Sequence, residues 1–339
     1  MSAEVAGLER DLCSTAVSER GIMKAAVCIS PGKFDIRDMP VPSPGEDQVL
    51  VELEGCGVCG SNLPLWEGRP WFSYPLEAGA PGHEGWGRVS EMGGGVKGVK
   101  KGDRVAFLSG HAFAQYDIVN EDSLVVLPPE LDGVPFPGEP LGCVMNIFNR
   151  SGISEGQTVA VIGIGFVGAL ITSLAAKRGA RVISISRRKF ALDTARRFGA
   201  QETVSMGNNH DVITQVKKIT GDGLCDRVIE ATGYQRSLDI AGEIVNEGGK
   251  LVIAGYHQDG LRTVNMQVWN WKGIDVINAH ERQNRRYVEG MRQAVEAITR
   301  GELEPSSLYT HIYPLEELSS AFEALRSRPD GFVKALVTL

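Results

Sequence analysis

Three short segments of the sequence carry side chains of the kind that bind metal ions. The first contains Cys59 and Ser61, the second contains His83 and Glu84, and the third contains Glu139. A thiolate, an imidazole and carboxylates together suit zinc, and a catalytic zinc site uses three protein ligands and keeps one position open. Each residue also has an ordinary interpretation: a buried cysteine, a loop histidine with satisfied nitrogens, and a solvated charge before a helix.

A glycine fingerprint further along the chain predicts a dinucleotide site. The apolar run 158–162 leads directly into Gly163, Gly165 and Gly168, and a second apolar run follows at 181–185. Gly163 permits a tight turn, Gly165 lets the backbone approach a pyrophosphate, and Gly168 lets the next helix pack closely on the strand. A strand, a glycine turn, a helix and a second strand in this order form the nucleotide-binding half of a parallel sheet.

The residues after each of these two strands indicate which cofactor binds. Phe166 and Val167 complete the fingerprint and lead into a helix predicted over 169–178, whose free N–H groups favour phosphate. The second strand ends in Ser186, Arg187 and Arg188, with no acidic residue to bind the ribose hydroxyls of NAD. An arginine fork binds a 2′-phosphate bidentately, so NADP(H) is favoured over NAD(H). Alternatively, the two arginines begin a solvated helix.

Composition excludes several classes of protein. The chain has 339 residues and a net charge of −7, whereas a nucleic-acid-binding protein needs a basic face. No apolar run approaches the roughly 20 residues of a membrane span. Six cysteines in so long a chain do not form a dense disulfide framework. Residues 1–22 are polar and are expected to form a flexible extension, and the protein is expected to be soluble and cytoplasmic.

The remaining sequence divides into two kinds of pattern. Residues 23–150 contain mostly short strands separated by Gly and Pro, which predicts a β-rich domain. Residues 151–290 alternate strands with helical segments, which predicts a doubly wound parallel sheet. The final segment, 331–339, resembles a strand again, so residues 291–339 are expected to return to the first domain. The predicted fold class is therefore α/β with a discontinuous first domain.

In this order, the metal-binding segments and the fingerprint resemble the zinc-dependent medium-chain dehydrogenase/reductase superfamily over nearly the whole chain. Glu139-Pro140-Leu141 and the following 150–153 are similar to the sorbitol and polyol dehydrogenase branch. The resemblance implies a GroES-like catalytic domain and a Rossmann domain. It further implies that Cys59, His83 and Glu84 bind one catalytic zinc, and that Glu139 contacts the ion directly or through its water.

Three departures from the family pattern bear on the site. The stretch between 103–106 and 114–116 has no room for the lobe that carries a structural zinc, so a second zinc is not expected. Asn62 stands where an aspartate is usual and is expected to cap a helix. Pro64 replaces a proton-relay histidine, which leaves Ser61 to pass on the substrate proton.

Two further cysteines lie close to the candidate ligands in sequence. Cys56 and Cys59 form a C-x-x-C, which elsewhere can be a redox pair, but Cys56 lies in a strand-like run. Cys143 lies one helical turn after Glu139 and is interpreted as a packing residue. Neither is expected to bind the metal.

The resemblance also implies further cofactor-binding and substrate-binding residues. Turns after two later strands border the nicotinamide and its ribose, and they contain Ala231, Thr232, Gly233, Ala254, Gly255 and Tyr256, with Asn278 and Ala279 beyond them. The substrate cleft is expected to contain Trp66, Tyr74, His280, Glu281 and Arg282. An alternative interpretation of the segment 278–282 is an interface or surface loop.

These features predict an oxidoreductase that interconverts a secondary alcohol and its ketone by hydride transfer. A polyol, sugar or cyclitol is the expected small-molecule substrate, and no nucleic acid or membrane partner is expected. The first alternative is a zinc-free NADPH-dependent enone or quinone reductase of the same superfamily. The second is a non-catalytic nucleotide-binding protein. Relatives assemble through the edge of the nucleotide-domain sheet, which implies a homodimer or homotetramer.

Overall fold

The computed structural model describes residues 21–339. The extension predicted over residues 1–22 lies outside this range, except for its last two residues. Ile22 already begins the first strand, β1, because its backbone pairs with Pro40 on the second. Across residues 21–339, no helix is both long enough and apolar enough to cross a membrane.

The first part of the chain is mostly strands, as predicted. It contains β1 (Ile22–Ser30), β2 (Lys33–Pro40), β3 (Gln48–Val58), α1 (Leu63–Trp66), β4 (Gly85–Met92), β5 (Arg104–Phe107), β6 (Tyr116–Asn120), β7 (Leu124–Val126) and α2 (Gly138–Ser151). Strands β3, β4, β5 and β7 follow one another in a single antiparallel sheet, and β6 pairs with β3.

The middle of the chain alternates strands and helices. It contains β8 (Thr158–Ile162), α3 (Phe166–Lys177), β9 (Arg181–Ser186), α4 (Lys189–Arg197), β10 (Glu202–Ser205), α5 (Asn209–Thr220), β11 (Cys225–Glu230), α6 (Gln235–Ile244), β12 (Val245–Ile253), α7 (Met266–Lys272), β13 (Asp275–Asn278) and α8 (Asn284–Thr299). The six strands are parallel in the order β10-β9-β8-β11-β12-β13. This is the doubly wound Rossmann order, with its crevice where the strand order reverses.

The end of the chain returns to the first sheet. It contains β14 (Tyr309–Pro314), α9 (Leu318–Ser327) and β15 (Lys334–Thr338). Strand β15 pairs antiparallel with β3, and β14 extends the sheet beyond β15. This pairing places the last residues of the chain beside the end of β3, where Cys59 follows. The boundaries proposed at residues 22, 150 and 290 stay predictions.

Two element boundaries matter for the site. The helix after the fingerprint begins at Phe166, three residues before the predicted start at 169, so Phe166 and Val167 belong to its first turn. Helix α2 lies against both α3 and α8, which connects the β-rich half to the Rossmann half. The candidate ligand Glu139 is in the first turn of α2 and therefore faces the junction of the two halves.

Candidate metal and cofactor site

The predicted metal ligands Cys59, His83 and Glu84 come together in the structure. The Cys59 thiol, an imidazole nitrogen of His83 and a carboxylate oxygen of Glu84 all lie within 4.8 Å of one another. Ser61 donates a hydrogen bond from its Oγ to Cys59 Sγ at 3.2 Å, so the expected proton-relay hydroxyl directly adjoins the thiol. These four residues form one polar centre between the two halves of the molecule.

The backbone around Cys59 explains how the centre is held. The Gly57 N–H donates to the carbonyl of Glu84 at 3.1 Å, which joins the β3 end to the His83 segment. A Cβ on Gly57 would lie 1.8 Å from Glu84 Oε2, so only glycine leaves room for this carboxylate. Asn62 does not cap α1 as predicted, because its side chain is used elsewhere: its Nδ2 donates to the Pro81 carbonyl at 3.2 Å.

His83 is oriented for metal binding by the same carbonyl. Its Nδ1 lies 2.9 Å from Pro81 O, and since a carbonyl only accepts, Nδ1 carries the proton and Nε2 is left for a metal. Burial lowers the pKa of His83, but the neighbouring Cys59, Glu139 and Glu84 outweigh burial and raise the pKa to about 10. Negative charge therefore converges on this imidazole, as it does where a cation binds.

Glu84 is fully buried and is paired with Lys334 on β15. Lys334 Nζ donates to Glu84 Oε1 at 2.7 Å and to the Val58 carbonyl at 3.2 Å. The other carboxylate oxygen, Oε2, lies 2.5 Å from the same Nζ, yet it makes no hydrogen bond of good geometry. Lys334 Nζ also lies 5.4 Å from the centre of the Phe166 ring. One lysine thus connects a candidate metal ligand to the first residue after the glycine turn.

Glu139 lies beside this centre but outside the group of three. Its Oε1 accepts a hydrogen bond from the Tyr287 hydroxyl at 2.7 Å and from the Cys143 thiol at 3.5 Å. Cys143 Sγ is also 3.0 Å from the Tyr287 hydroxyl. Burial and the Glu139 charge raise the pKa of Tyr287 strongly, which keeps its hydroxyl protonated as a donor. Cys143, interpreted as a packing residue, is therefore also part of a hydrogen-bonded group.

The donor set fits zinc. One sulfur, one nitrogen and one carboxylate oxygen lie within 4.8 Å of one another, and these are the kinds of donor that a catalytic zinc site uses. Glu84 Oε2 makes no hydrogen bond of good geometry, although it lies 2.5 Å from Lys334 Nζ, so its lone pairs are not all used within the protein. Glu139 is close enough for its charge to raise the pKa of His83.

Two of the three fingerprint glycines, Gly163 and Gly168, have the backbone and packing features that the sequence predicts, whereas the pyrophosphate contact at Gly165 stays a prediction. Gly163 has φ +96°, and a Cβ there would lie 2.4 Å from Thr232 Cγ2. A Cβ on Gly168 would lie 2.0 Å from the Gly163 carbonyl, so the helix packs closely on the turn. Gly165, in contrast, has no atom within 4 Å of its Cβ position. The open space at Gly165 lies beside the first N–H groups of α3, and an arrangement of this kind suits a phosphate group.

The end of β9 carries the predicted ribose-binding residues. Ser186 is buried, and its Oγ accepts from the Arg188 N–H at 3.4 Å. Arg187 is exposed, whereas Arg188 is partly buried and donates from Nη1 to the Phe332 carbonyl at 2.6 Å. The end of β9 has no acidic side chain among residues 186–188, so this turn presents positive charge to the crevice.

Glu230, at the end of β11, organises the predicted nicotinamide turns. Its buried Oε1 accepts from the N–H groups of Thr232 and Gly233 at 2.8 and 3.0 Å. Its carbonyl accepts from Ala254 and Gly255 at 2.8 and 2.7 Å. The two predicted turns, which also contain Ala231 and Tyr256, are therefore held together by one acidic residue.

In the predicted segment 278–282, some side chains are exposed and others are buried. The His280 ring stacks on Tyr256 with centroids 5.3 Å apart, and both side chains are exposed. Glu281 is buried and accepts from the Arg282 and Gln283 N–H groups at 2.8 and 2.9 Å, so it stabilises the chain before α8. Ala279 is buried, whereas Asn278 and Arg282 are exposed. Among the residues predicted to line the substrate cleft, only His280 and Arg282 have exposed side chains.

The two aromatic residues predicted for the substrate cleft have structural contacts instead of open surfaces. Trp66 is 5 % exposed and stacks on Phe34, with ring centroids 5.7 Å apart, in a cluster with Phe322. Tyr74 is partly buried, and its hydroxyl donates to the Leu65 carbonyl. The structure thus places Trp66 in the core, because α1 turns its apolar side towards α9.

The sequence predicts neither Lys334 nor Tyr287 as a site residue, and it places Glu230 only at the start of a turn that borders the nicotinamide. Lys334 lies 250 residues from Glu84, and Tyr287 lies 148 residues from Glu139. Nothing in the local sequence of either residue indicates its partner. Glu230 offered a signal, since an acidic residue ends an otherwise apolar strand just before an Ala-Thr-Gly turn.

Comparison with known proteins agrees with this geometry. Family models match at residues 45–130, the alcohol dehydrogenase GroES-like domain, and at residues 167–299, the zinc-binding dehydrogenase. Sorbitol dehydrogenase of Bacillus subtilis is 26 % identical over 93 % of this chain and 97 % of its own length. A putative zinc-binding dehydrogenase from Sinorhizobium meliloti, solved bound to NADP, superposes with a TM-score of 0.81 at 26 % identity, covering 94 % of this chain and 100 % of that one.

A second solved structure extends the comparison. The 2R,3R-butanediol dehydrogenase from Bacillus subtilis superposes with a TM-score of 0.81 at 25 % identity, covering 94 % of this chain and 99 % of that one. The two family models lie on the two halves of the fold that hold the metal centre and the glycine turn. This chain therefore belongs to the zinc-dependent medium-chain dehydrogenase/reductase superfamily and is similar to its polyol dehydrogenases.

Proposed function

We propose that this protein interconverts a secondary alcohol of the polyol, sugar or cyclitol class and its ketone, using one catalytic zinc and NADP(H). The observation that carries the proposal is the connection from Glu84 through Lys334 to Phe166, which joins the metal centre to the glycine turn. A hydride donor and an activated oxygen must lie side by side for this reaction. Sorbitol and butanediol dehydrogenases among the similar proteins support the substrate class.

Cys59, His83 and Glu84 would hold the zinc, with Glu139 in direct or water-mediated contact. When bound, zinc supplies Lewis acidity to the substrate oxygen, and NADP+ supplies a hydride acceptor. Among the protein groups, the Pro81 carbonyl fixes the His83 tautomer, and Lys334 fixes the Glu84 carboxylate. The ligands are therefore oriented before any metal arrives.

Proton transfer falls to Ser61 in this scheme. Its hydroxyl is within hydrogen-bond distance of Cys59 Sγ, in the short turn Gly60–Asn62 that follows Cys59. A hydroxyl both donates and accepts, so Ser61 can take the substrate proton and pass it on to a neighbouring oxygen. Pro64, which has no donor or acceptor side chain, takes no part in the relay.

The polar groups beside the centre favour a substrate rich in hydroxyls. Glu139 and Tyr287 present a carboxylate and a phenol, and His280 and Arg282 lie exposed on the segment after β13. A substrate with several hydroxyl groups can hydrogen-bond to several of these side chains at once, whereas an aliphatic alcohol offers a single hydroxyl. Trp66 and Tyr74 are not included in this proposal, because their contacts are made within the protein.

Metal analysis and cofactor titration test the proposal together. We expect about one zinc per chain in the purified protein, tighter binding of NADPH than of NADH by fluorescence, and oxidation of members of a polyol and cyclitol panel. Absence of zinc after growth with added metal would contradict the mechanism and favour the enone or quinone reductase. Cofactor binding without turnover on any alcohol or enone would favour a non-catalytic protein.

We also propose that the protein assembles as a homodimer or homotetramer through β13, the last strand of the Rossmann sheet. One edge of β13 pairs with β12, and the other has no partner strand among residues 21–339. Trp271 on the preceding helix is 85 % exposed, and Val276 on β13 is 41 % exposed. An uncovered apolar strand edge is normally paired or protected. Sedimentation at micromolar concentration should therefore give at least a dimer, and a stable monomer would contradict this.

A further inference from the structure

Three arginines, Arg187, Arg188 and Arg328, form a cationic cluster between the end of β9 and the segment that joins α9 to β15. The hydrogen bond from Arg188 Nη1 to the Phe332 carbonyl, 2.6 Å long, ties these two parts of the chain together. Burial lowers the pKa of Arg188, and the charges of Arg328 and Arg187 lower it further, while Asp330 opposes them. Three positive charges thus face a single carboxylate.

The cluster makes few side-chain hydrogen bonds or ion pairs with the rest of residues 21–339. Neither Arg187 nor Arg328 forms a side-chain hydrogen bond or ion pair with any other residue in 21–339, and both are exposed. Arg188 uses one of its five N–H groups for Phe332 and keeps the others available. Like charges held close together repel unless an anion neutralises them, so the arrangement favours binding of an anion.

Arg328 has a backbone conformation that glycine would adopt more easily. It ends α9 at φ +48° and ψ +64°, and its N–H donates to the Ala324 carbonyl at 2.8 Å. A left-handed conformation costs an L-residue about 1–2 kcal/mol, which is why glycine is preferred after a helix. Strain of this kind is concentrated at ligand sites, where the side chain compensates for it.

The Arg328 side chain extends towards the metal centre. Its Nη2 lies 4.0 Å from the position that a Cβ would occupy on Gly60, the residue after Cys59. The cluster therefore spans the crevice between the Cys59 turn and the end of β9. The adenosine ribose of a dinucleotide lies at the end of this second Rossmann strand.

We propose that Arg187, Arg188 and Arg328 together bind the 2′-phosphate of NADP(H), and that Arg328 supplies this contact from outside the Rossmann sheet. The inference rests on the proposed function, because it specifies how the same cofactor site distinguishes NADP(H) from NAD(H). A planar guanidinium binds phosphate oxygens in pairs, and the absence of a carboxylate at Ser186 removes the group that would repel them. Arg328 closes the phosphate site from the opposite wall of the crevice.

The test compares Arg328→Gly with Arg328→Ala, using adenosine 2′,5′-bisphosphate and 5′-AMP as probes in calorimetry. Loss of a charge-assisted contact worth about 1.5–3 kcal/mol should weaken binding of the bisphosphate by roughly 10- to 100-fold in both variants. Binding of 5′-AMP should stay within about twofold, since it carries no 2′-phosphate. Only Arg328→Gly should also raise the melting temperature, because only glycine relieves the left-handed backbone. In Arg328→Gly, the melting temperature would then rise while the affinity for the bisphosphate falls.

Other outcomes separate this inference from the proposed function. Equal weakening of both probes would make Arg328 a contact for the phosphates common to NAD and NADP, and would overturn the assignment. Unchanged binding of the bisphosphate in both variants would overturn it as well, while leaving the NADP(H) preference of the wild-type protein intact. A wild-type protein that binds the two probes equally would refute both the 2′-phosphate site and the proposed NADP(H) preference.

Discussion

Replacing the metal-facing thiol, Cys59→Ser, is expected to remove bound zinc and turnover together while leaving NADP(H) binding intact. Cys59 supplies the sulfur of the three-donor group, and a serine hydroxyl is a far weaker zinc ligand than a thiolate. Lewis-acid stabilisation contributes several kcal/mol, and about 1.4 kcal/mol corresponds to a tenfold change in rate. We therefore expect kcat/KM to fall by roughly 10³-fold or more.

The neighbouring cysteine provides a matched control. Cys56 is three residues earlier on β3, fully buried, and its thiol lies 3.4 Å from the Gly57 carbonyl. Cys56→Ser makes the same chemical change outside the donor group, and its hydroxyl can keep that contact. We expect it to retain about one zinc per chain and most of its activity. The measurements are the zinc content, the activity and the NADPH affinity of both variants. Full activity in metal-free Cys59→Ser would refute the zinc mechanism.

Replacing the buried lysine, Lys334→Met, is expected to destabilise the fold more than other single changes near the site. Lys334 is 6 % exposed and Glu84 is fully buried, so the substitution leaves a buried carboxylate without its cation. Breaking a buried ion pair from one side costs about 3–5 kcal/mol, since the remaining charge is uncompensated. The free energy of unfolding, measured by urea denaturation with a chelator present, should fall by that amount.

Two further variants distinguish an electrostatic cause from a loss of packing. The double variant Lys334→Met with Glu84→Gln removes both charges and should recover most of the stability, because no unpaired ion remains. Lys189→Met removes a lysine whose side chain is 90 % exposed, and should change stability by no more than about 0.5 kcal/mol. If the double variant were as unstable as Lys334→Met, the ion pair would not be the cause.

Lys334 also shows how the fold brings the two sites together. Its ammonium group contacts Glu84 on one side and the Phe166 ring on the other, and that ring stacks on Tyr309 of β14 with centroids 5.8 Å apart. Both β14 and β15 come from the last part of the chain. Strands β14 and β15 therefore link the metal centre to the start of α3.

The hydrogen bonds between α2 and α8 link the halves in a second place. Tyr287 on α8 donates to Glu139 on α2, so this carboxylate is held by a residue that follows the Rossmann sheet. The same helix pair contains Cys143, whose thiol is shared by both partners. Glu139 is thus held through one carboxylate oxygen, Oε1.

Much of the fold was predictable from the sequence because its signals are local. The strand, turn and helix around Gly163 are neighbours along the chain, and Gly168 packs against the carbonyl of Gly163, five residues earlier. The candidate ligands Cys59, His83 and Glu84 were recognised by residue type and order, and the structure brings their donor atoms within 4.8 Å. Strands with Gly and Pro between them, and strands alternating with helices, likewise predicted the two halves.

What only the tertiary structure decided depends on contacts between residues far apart in the chain. The partners of Glu84 and Glu139 lie 250 and 148 residues away, and no local pattern specifies them. The register of β15 on β3 brings Lys334 beside the metal centre, and the packing of α1 against α9 takes Trp66 out of the cleft. Residue types and spacing determined which chemistry this protein can carry. The pairing of distant strands and helices decided which side chains surround that chemistry, because burial and register are set by the whole fold.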